Sequence, residues 1–329
     1  MNVAILGATG MVGREMIKVL EERNFPVDTL KLLASRRSVG QTVMFNGKEI
    51  GIEEANDQSF NGMDFVFGAV SNPMAEEFAP IIVKAGALFI DNSSAFRMQD
   101  AVPLIIPEIN PKDAYKHQGI IANPNCSTII AMMALHPIQK RYGIKNVVAC
   151  TYQAVSGAGQ EGTQELLDQI KCSVNGDPAV PKVFAQPIAY NVIPCIGAIE
   201  ENGYTSEEMK MRNEGRKILH QDDLNINCTC VRVPVLRSHS IAMTVKTNSE
   251  VNLDQIRKDW AKAPGIGTLP KDRSYPTPLD SSDQDLVLVG RLRNDLNHPN
   301  KGVSFWCCGD QVRKGAATNA IQIAELFVK

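Results

Sequence analysis

No stretch of this 329-residue chain approaches the roughly 18 consecutive apolar residues that a membrane helix needs, and no run of like charges occurs in it. The first absence argues against a helical membrane span. The second, with a formal net charge of -2, removes the electrostatic footprint of a nucleic-acid binder. The eight cysteines, at 126, 150, 172, 195, 228, 230, 307 and 308, form no C-x-x-C pair and have no histidine at metal-ligand spacing. In a chain of this length that pattern reads as reduced thiols, with neither a disulfide framework nor a metal site. The vicinal Cys307 and Cys308 are expected on a strand, as core on one face. No charged leader precedes the first strand-like segment, so a cytoplasmic location is expected. Internal repeats and low-complexity segments are also missing.

What is present suits a globular protein: 44% hydrophobic and 21% charged residues, in a chain long enough for two domains. The first part alternates short apolar runs ("VAILGATG", "DFVFGAVS", "ALFIDNSS", "GIIANPN") with helical segments ("REMIKVLEERN", "PMAEEFAPIIVKAG"), the pattern of parallel strands joined by crossover helices. After Asn146 the strands lengthen and partly alternate ("NVVACTYQAV", "CTCVRVPV", "SIAMTVKT", "DLVLVGRLR", "KGVSFWCC"), with few helices expected between them. The last segment, "KGAATNAIQIAELFVK", carries Ala320, Ile323, Ala324 and Phe327 on one stripe and should pack back on the first domain. The predicted class is α/β: an N-terminal Rossmann-type parallel sheet, then a second α+β domain on a mostly antiparallel sheet. The boundaries follow as 1–126 plus 309–329 for nucleotide binding, and 127–308 for catalysis, substrate binding and dimerisation. The segment 172–190, with Pro178, Pro181 and Pro187, reads as a long surface loop.

"GATGMVG" places Gly7, Gly10 and Gly13 directly after a strand and at the opening of a helix. There, glycine lets backbone approach a pyrophosphate, and the helix N-terminus offers N–H groups to it. An NAD site usually carries an acidic residue about 20 positions later. Here Ser35, Arg36, Arg37 and Ser38 occupy that place. A guanidinium with hydroxyls suits a 2′-phosphate, so NADP is the preferred cofactor, and a solvated basic turn is the alternative.

In "NPNCST", Pro124 disfavours helical geometry at Asn123 and Asn125 is a good N-cap, so a helix should start at or beside Cys126. A helix N-terminus near a cation lowers a thiol pKa below its free value of about 8.5. The polar collar of Asn123, Asn125, Ser127 and Thr128 would be costly around a purely apolar core position. A thiolate beside a nicotinamide site implies attack on an aldehyde carbonyl, hydride transfer and a thioester. Of five histidines, His239 alone falls between two strand-like runs; on spacing alone, a structural role and a proton-transfer role are equally open.

At this point the chain resembles the bacterial aspartate-semialdehyde dehydrogenases. "GATGMVG", "DNSSAFR", "NPNCST", "YQAVSGAG", "EEMKM", "CVRVPVLRSHS" and "KGAATNAIQIAE" fall in that family's order and approximate spacing. The resemblance implies that Cys126 is the acyl-forming nucleophile, His239 the general acid and base, and Gln153 an orienter of substrate. It implies that Arg232 pairs with the substrate α-carboxylate, that Glu207 contacts its amino group or helps order the site, and that Arg97 and Lys210, with Asn125, bind phosphate. For the cofactor it implies Gly7, Thr9, Gly10, Met11, Val12 and Gly13 in the glycine turn, Ser35, Arg37 and Ser38 after the second strand, Ser156 and Gly157 at the nicotinamide end, and Asn319 in the last helix. The implied reaction is NADP-dependent reductive dephosphorylation of 4-phospho-L-aspartate to L-aspartate 4-semialdehyde, reversible, in lysine, threonine and methionine biosynthesis. N-acetylglutamyl-phosphate reductase is the nearest alternative, and a non-catalytic NADP-binding module the alternative from another class. A homodimer or homotetramer is expected, because the second-domain sheet must cover its outer face. Arg232 and His239 are seven apart, which in an unbroken strand puts them on opposite faces; the chain should break between them, at Pro234 or the "RSH" run.

Overall fold

The structure is a computed structural model that describes residues 1–269 and 273–328. Lys329, the end of the segment read as a terminal helix, lies outside them. The chain divides into two compact units, Met1–Asn125 with Ala316–Lys329, and Cys126–Gly315.

The first unit runs β1 (Asn2–Leu6), α1 (Met11–Glu22), β2 (Thr29–Ala34), β3 (Thr42–Phe45), β4 (Lys48–Glu54), β5 (Phe65–Gly68), α2 (Asn72–Lys84), β6 (Leu88–Asp91) and β7 (Ile120–Ala122). Its seven strands lie in the order β3-β4-β2-β1-β5-β6-β7, parallel except for the β3–β4 hairpin. Central strands are buried on both faces, which is why they read as unbroken apolar runs. Helix α1 turns Met16, Ile17, Val19 and Leu20 into the core, each such burial contributing about 1.5–3 kcal/mol. The hairpin was not among the predicted elements, although Asn46 and Gly47, both with positive φ (48° and 74°), are the residues a two-residue hairpin turn demands.

The second unit runs α3 (Cys126–Tyr142), β8 (Ile144–Gln153), α4 (Gly159–Asn175), α5 (Ser206–Leu219), β9 (Asn225–Arg232), β10 (His239–Thr247), α6 (Leu253–Lys262), β11 (Ile266–Thr268), α7 (Pro278–Ser281), β12 (Val287–Asn294) and β13 (Gly302–Gly309). The sheet order is β11-β12-β13-β10-β8-β9. The three central pairings are antiparallel and the two edge pairings parallel. Helix α3 crosses one face and is buried continuously over residues 127–135, so it shows no polar face in sequence. The Trp260 indole donates to the Ala134 carbonyl at 2.9 Å and meets Phe305 edge-on at 5.2 Å, fastening α6 to α3 and to the sheet. Helix α8 (Thr318–Glu325) returns to the first unit, where Ala320, Ile321, Ile323 and Ala324 are fully buried in its core.

Three local expectations are corrected. The second unit carries three helices of 10 to 17 residues between its strands, where few were expected, because α4, α5 and α6 are polar enough to hide their stripes. The irregular segment begins at Gly176, where a left-handed glycine (φ 79°) ends α4, so Cys172 is helical. Cys307 and Cys308 are both 0% exposed: the sheet is covered on both faces there. The Cys308 thiol lies 3.1 Å from the Ser240 hydroxyl and 3.4 Å from the Pro276 carbonyl, and burial pushes it up to about 11.

Candidate active site

Cys126 is the first residue of α3, and its Sγ lies 3.5 Å from Nε2 of His239, the first residue of β10. The other ring nitrogen, Nδ1, accepts the backbone N–H of Ala154 at 3.1 Å. A backbone N–H can only donate, so the neutral ring keeps its proton on Nε2, facing the sulfur. His239 is 0% exposed, and burial, helped by the charge of Arg232, holds it well below the ordinary histidine value of 6.5.

The break between Arg232 and His239 is present and larger than a bulge. Strand β9 ends at Arg232 and β10 begins at His239, and the two lie on opposite sides of β8. The link passes through Ser238, fully buried with φ 73°, whose N–H donates to Gln311 Oε1 at 2.8 Å. Gln311 also donates to the Ser156 hydroxyl, so one side chain ties the backbone before His239 to the turn after β8. No spacing in the sequence singles out Gln311.

That turn brings the two functional groups together. A Cβ on Gly157 would sit 2.7 Å from Arg232 Nη1 and 3.1 Å from His239 Cε1, so only glycine leaves both side chains in place. Arg232 Nη1 donates to the Ala154 carbonyl at 2.7 Å. Burial lowers the Arg232 pKa, opposed by attraction to Cys126 and Glu207. Gln153, at the end of β8 and 1% exposed, donates to Glu207 Oε1 at 3.1 Å, while Lys210 Nζ meets Glu207 Oε2 at 3.2 Å. Thr205 caps α5 with Glu208 in a reciprocal capping box, which fixes the first turn that carries Glu207 and Lys210. Gly315 approaches Cys126 closely: a Cβ there would lie 3.0 Å from the Cys126 Cβ. The second unit thus gathers a thiol, a neutral imidazole, two cations, a carboxylate and an amide.

In the first unit, Gly7 (φ 92°) and Gly13 leave no room for side chains. A Cβ on Gly7 would meet the Ala69 carbonyl at 2.3 Å, and one on Gly13 the Gly7 carbonyl at 2.3 Å. At Gly10 the nearest atom would be the Gly7 carbonyl at 3.4 Å, so space opens where a pyrophosphate would approach. Helix α1 starts at Met11 with no side-chain cap and no acidic residue in its first turn, leaving Met11, Val12 and Gly13 to present backbone to an anion. Thr9 binds through its carbonyl to Arg14 Nε at 3.0 Å. Ser35, Arg36 and Arg37 are exposed and Ser38 half-buried in the turn after β2. These residues fit a dinucleotide.

Arg97, 7% exposed, donates to the Asn123 carbonyl at 2.9 Å and the Asn92 carbonyl at 2.7 Å. Asn319, 0% exposed, spends its amide hydrogens on the Ile105 carbonyl (2.9 Å) and Asn123 Oδ1 (2.6 Å). It therefore braces the strand that leads to Asn125, which is buried immediately before Cys126. Among the described residues no group of three or more His, Cys, Asp or Glu could hold a metal ion.

Residues 2–117 match the family model "Semialdehyde dehydrogenase, NAD binding domain", and residues 135–314 match "Semialdehyde dehydrogenase, dimerisation domain". The aspartate-semialdehyde dehydrogenase of Synechocystis sp. is 46% identical, with 100% of this chain and 97% of the relative covered. That of Bacillus subtilis is 44% identical, with 100% and 98% covered. The crystal structure of aspartate semialdehyde dehydrogenase II from Vibrio cholerae complexed with ASA superposes with a TM-score of 0.96 at 43% identity, over 99% of this chain and 98% of that one.

Proposed function

The chain belongs to the aspartate-semialdehyde dehydrogenase family, and from that premise we propose how its residues interconvert 4-phospho-L-aspartate and L-aspartate 4-semialdehyde. Cys126, as thiolate, attacks the acyl phosphate carbon; phosphate leaves, and a thioester forms on the sulfur. The nicotinamide cofactor, when bound, supplies the hydride for reduction and takes it back in the reverse direction. Collapse of the resulting alkoxide re-forms a carbonyl as the aldehyde and expels the Cys126 thiolate, breaking the C–S bond. In this direction one proton is consumed: an acyl phosphate dianion attacked by a thiolate would otherwise release trianionic phosphate, so the departing oxygen takes up a proton. His239 presents Nε2–H to sulfur and then to the oxygen of the tetrahedral adduct, and as general acid passes a proton to the departing phosphate, taking one back in the reverse direction. To act as a base toward the thiol, the ring would have to move its proton to Nδ1 and give up the Ala154 hydrogen bond. The observation that carries the reading is the Cys126–His239 contact beside Arg232.

The charge pattern of the site matches the substrate. Arg232 binds the α-carboxylate, Glu207 the ammonium, and Gln153 the reacting carbonyl region. Lys210, Arg97 and Asn125 receive phosphate. Gly7, Thr9, Gly10, Met11, Val12 and Gly13 would hold the pyrophosphate end of the cofactor, and Ser156 and Gly157 its nicotinamide end, with Asn319 acting through Asn123. Ser35, Arg37 and Ser38 favour NADP through its 2′-phosphate. The protein works in the cytoplasm as a homodimer or homotetramer, an assembly supported by the dimerisation domain it matches.

The test is phosphate-dependent NADP reduction with L-aspartate 4-semialdehyde, beside the same assay with N-acetyl-L-glutamate 5-semialdehyde. Preference for the first supports the reading. Preference for the second replaces it with the N-acetylglutamyl reaction, and no turnover of either by wild type favours a non-catalytic module.

A further inference from the structure

The segment from Gly176 to Tyr204 has little regular structure, yet it is pinned at several points. The buried Glu165 of α4 accepts the N–H of Lys182 at 2.9 Å and that of Val183 through one carboxylate oxygen. Gln169, one turn later and 2% exposed, donates to Glu165 at 2.9 Å and accepts the N–H groups of Ile188 (2.7 Å) and Ala189 (3.1 Å). Ile193 then pairs with Arg232 in both directions, N–H to carbonyl, at 2.8 and 2.9 Å. Two buried polar side chains and one bridge thus hold a proline-bearing strap in a single path.

That path carries Phe184 over Arg232. The guanidinium carbon lies 5.8 Å from the Phe184 ring centroid, and the ring packs into a small cluster with Val155, Leu166, Ile188 and Ile193. Gly162 of α4 clears the space: a Cβ there would stand 3.1 Å from the edge of the ring. A cation over an aromatic face is attracted by the ring quadrupole, more strongly when both are partly withdrawn from water. Arg232 is 7% exposed, with Nη1 committed to the Ala154 carbonyl. With Nη1 held by that carbonyl, the ring over the guanidinium carbon is placed to set the plane from which the remaining N–H groups project.

We propose that Phe184 is a positioning residue for Arg232, which makes the strap part of the recognition of the substrate α-carboxylate. This rests on the reading of Arg232 given above. An aromatic face holds the guanidinium plane in a bidentate orientation toward a carboxylate, which an aliphatic side chain of similar bulk does not.

The test compares Phe184→Leu, Phe184→Met and Phe184→Tyr with wild type, using L-aspartate 4-semialdehyde and 3-aminopropanal, which lacks the carboxylate. The expected result for Leu and Met is a KM for the semialdehyde raised about 5-fold, with kcat within about 2-fold and the KM for NADP unchanged. Turnover of 3-aminopropanal should not change, and Tyr should restore the wild-type KM. In an Arg232→Gln background, Phe184→Leu should add nothing further. Equal losses with both aldehydes, a Tyr variant as impaired as Leu, or additive effects with Arg232→Gln would overturn the proposal. If Arg232→Gln alone leaves the KM for the semialdehyde unchanged, the assignment of Arg232 falls and takes the proposal with it. If Arg232→Gln raises that KM while Leu and Met behave as wild type, only the role of Phe184 is lost.

Discussion

At the scale of single residues, the proposed chemistry centres on Cys126 and His239, whose side chains lie 3.5 Å apart. Replacing Cys126 by Ala removes the thiol proposed to carry the acyl chain, so kcat should fall by at least about 10³-fold with the thermal midpoint unchanged within a few degrees. Steady-state kinetics beside a melting curve reads both. His239 makes a separate prediction through stability. Its folded pKa lies well below 6.5 because the ring is buried beside Arg232, so as pH falls below 6.5 the unfolded chain takes up a proton that the folded protein refuses. Stability from this group is complete above that value and declines with acidification. His239→Asn should therefore lose less stability between pH 7.5 and 5.5 than wild type; an equal or larger loss, measured by denaturant unfolding, would show that His239 does not titrate as described. In sequence Cys126 stands out by its polar collar and helix start, whereas the setting of His239 between strands leaves a structural and a proton-transfer role equally open, and only the family resemblance assigns the second. The hydrogen bond that chooses the tautomer comes from the Ala154 backbone, 85 positions away, and no side-chain pattern encodes it.

At the scale of elements, the turns between strand and helix place the chemistry. Gly157→Ala would drive a methyl group to 2.7 Å from Arg232 Nη1. The expected consequence is a raised KM for the semialdehyde together with a fall in kcat, since Arg232 and His239 are displaced at once, and little loss of thermal stability. Exchanging Arg37 for Glu tests the turn after β2: the preference for NADP over NAD should fall about 10-fold or more, read as the ratio of kcat/KM values, with the semialdehyde KM unchanged. Strands and glycine turns were legible in sequence because a buried parallel strand is an apolar run and a phosphate-binding turn excludes side chains by steric necessity. The second-unit helices were less so. Only Ile256 and Trp260 of α6 are buried, a stripe too thin to stand out among charges. The strap from Gly176 read as surface loop for a similar reason: its prolines announce irregularity, while the carboxylate and amide that pin it sit on α4, 17 to 20 positions earlier.

At the scale of the whole molecule, the six-stranded sheet has one face under α3, and its other face carries Tyr152 (40% exposed) and Val148 (51% exposed), with Tyr152 against Trp306 at 5.3 Å. An apolar strip on an open sheet face, in a region that matches a dimerisation domain, is suited to a second copy of the chain. Val148→Asp together with Tyr152→Asp should shift the sedimentation coefficient toward the monomer; an unchanged assembly would move the interface elsewhere. No described helix is long and apolar enough to cross a membrane. The change from unbroken apolar runs to longer, partly alternating strands is local and can be read in sequence, whereas pairing of distant strands around β8 depends on contacts that no local window contains.

In the proposed reaction the acyl group passes through the sulfur of Cys126. Incubating the protein with L-aspartate 4-semialdehyde and NADP without phosphate, quenching in acid and analysing the digested peptides by mass spectrometry tests it directly. The expected result is an aspartyl adduct on the peptide bearing Cys126, discharged when phosphate is added before the quench. Turnover in the phosphate-containing assay, with no adduct on Cys126 or with the adduct on another cysteine, would contradict it.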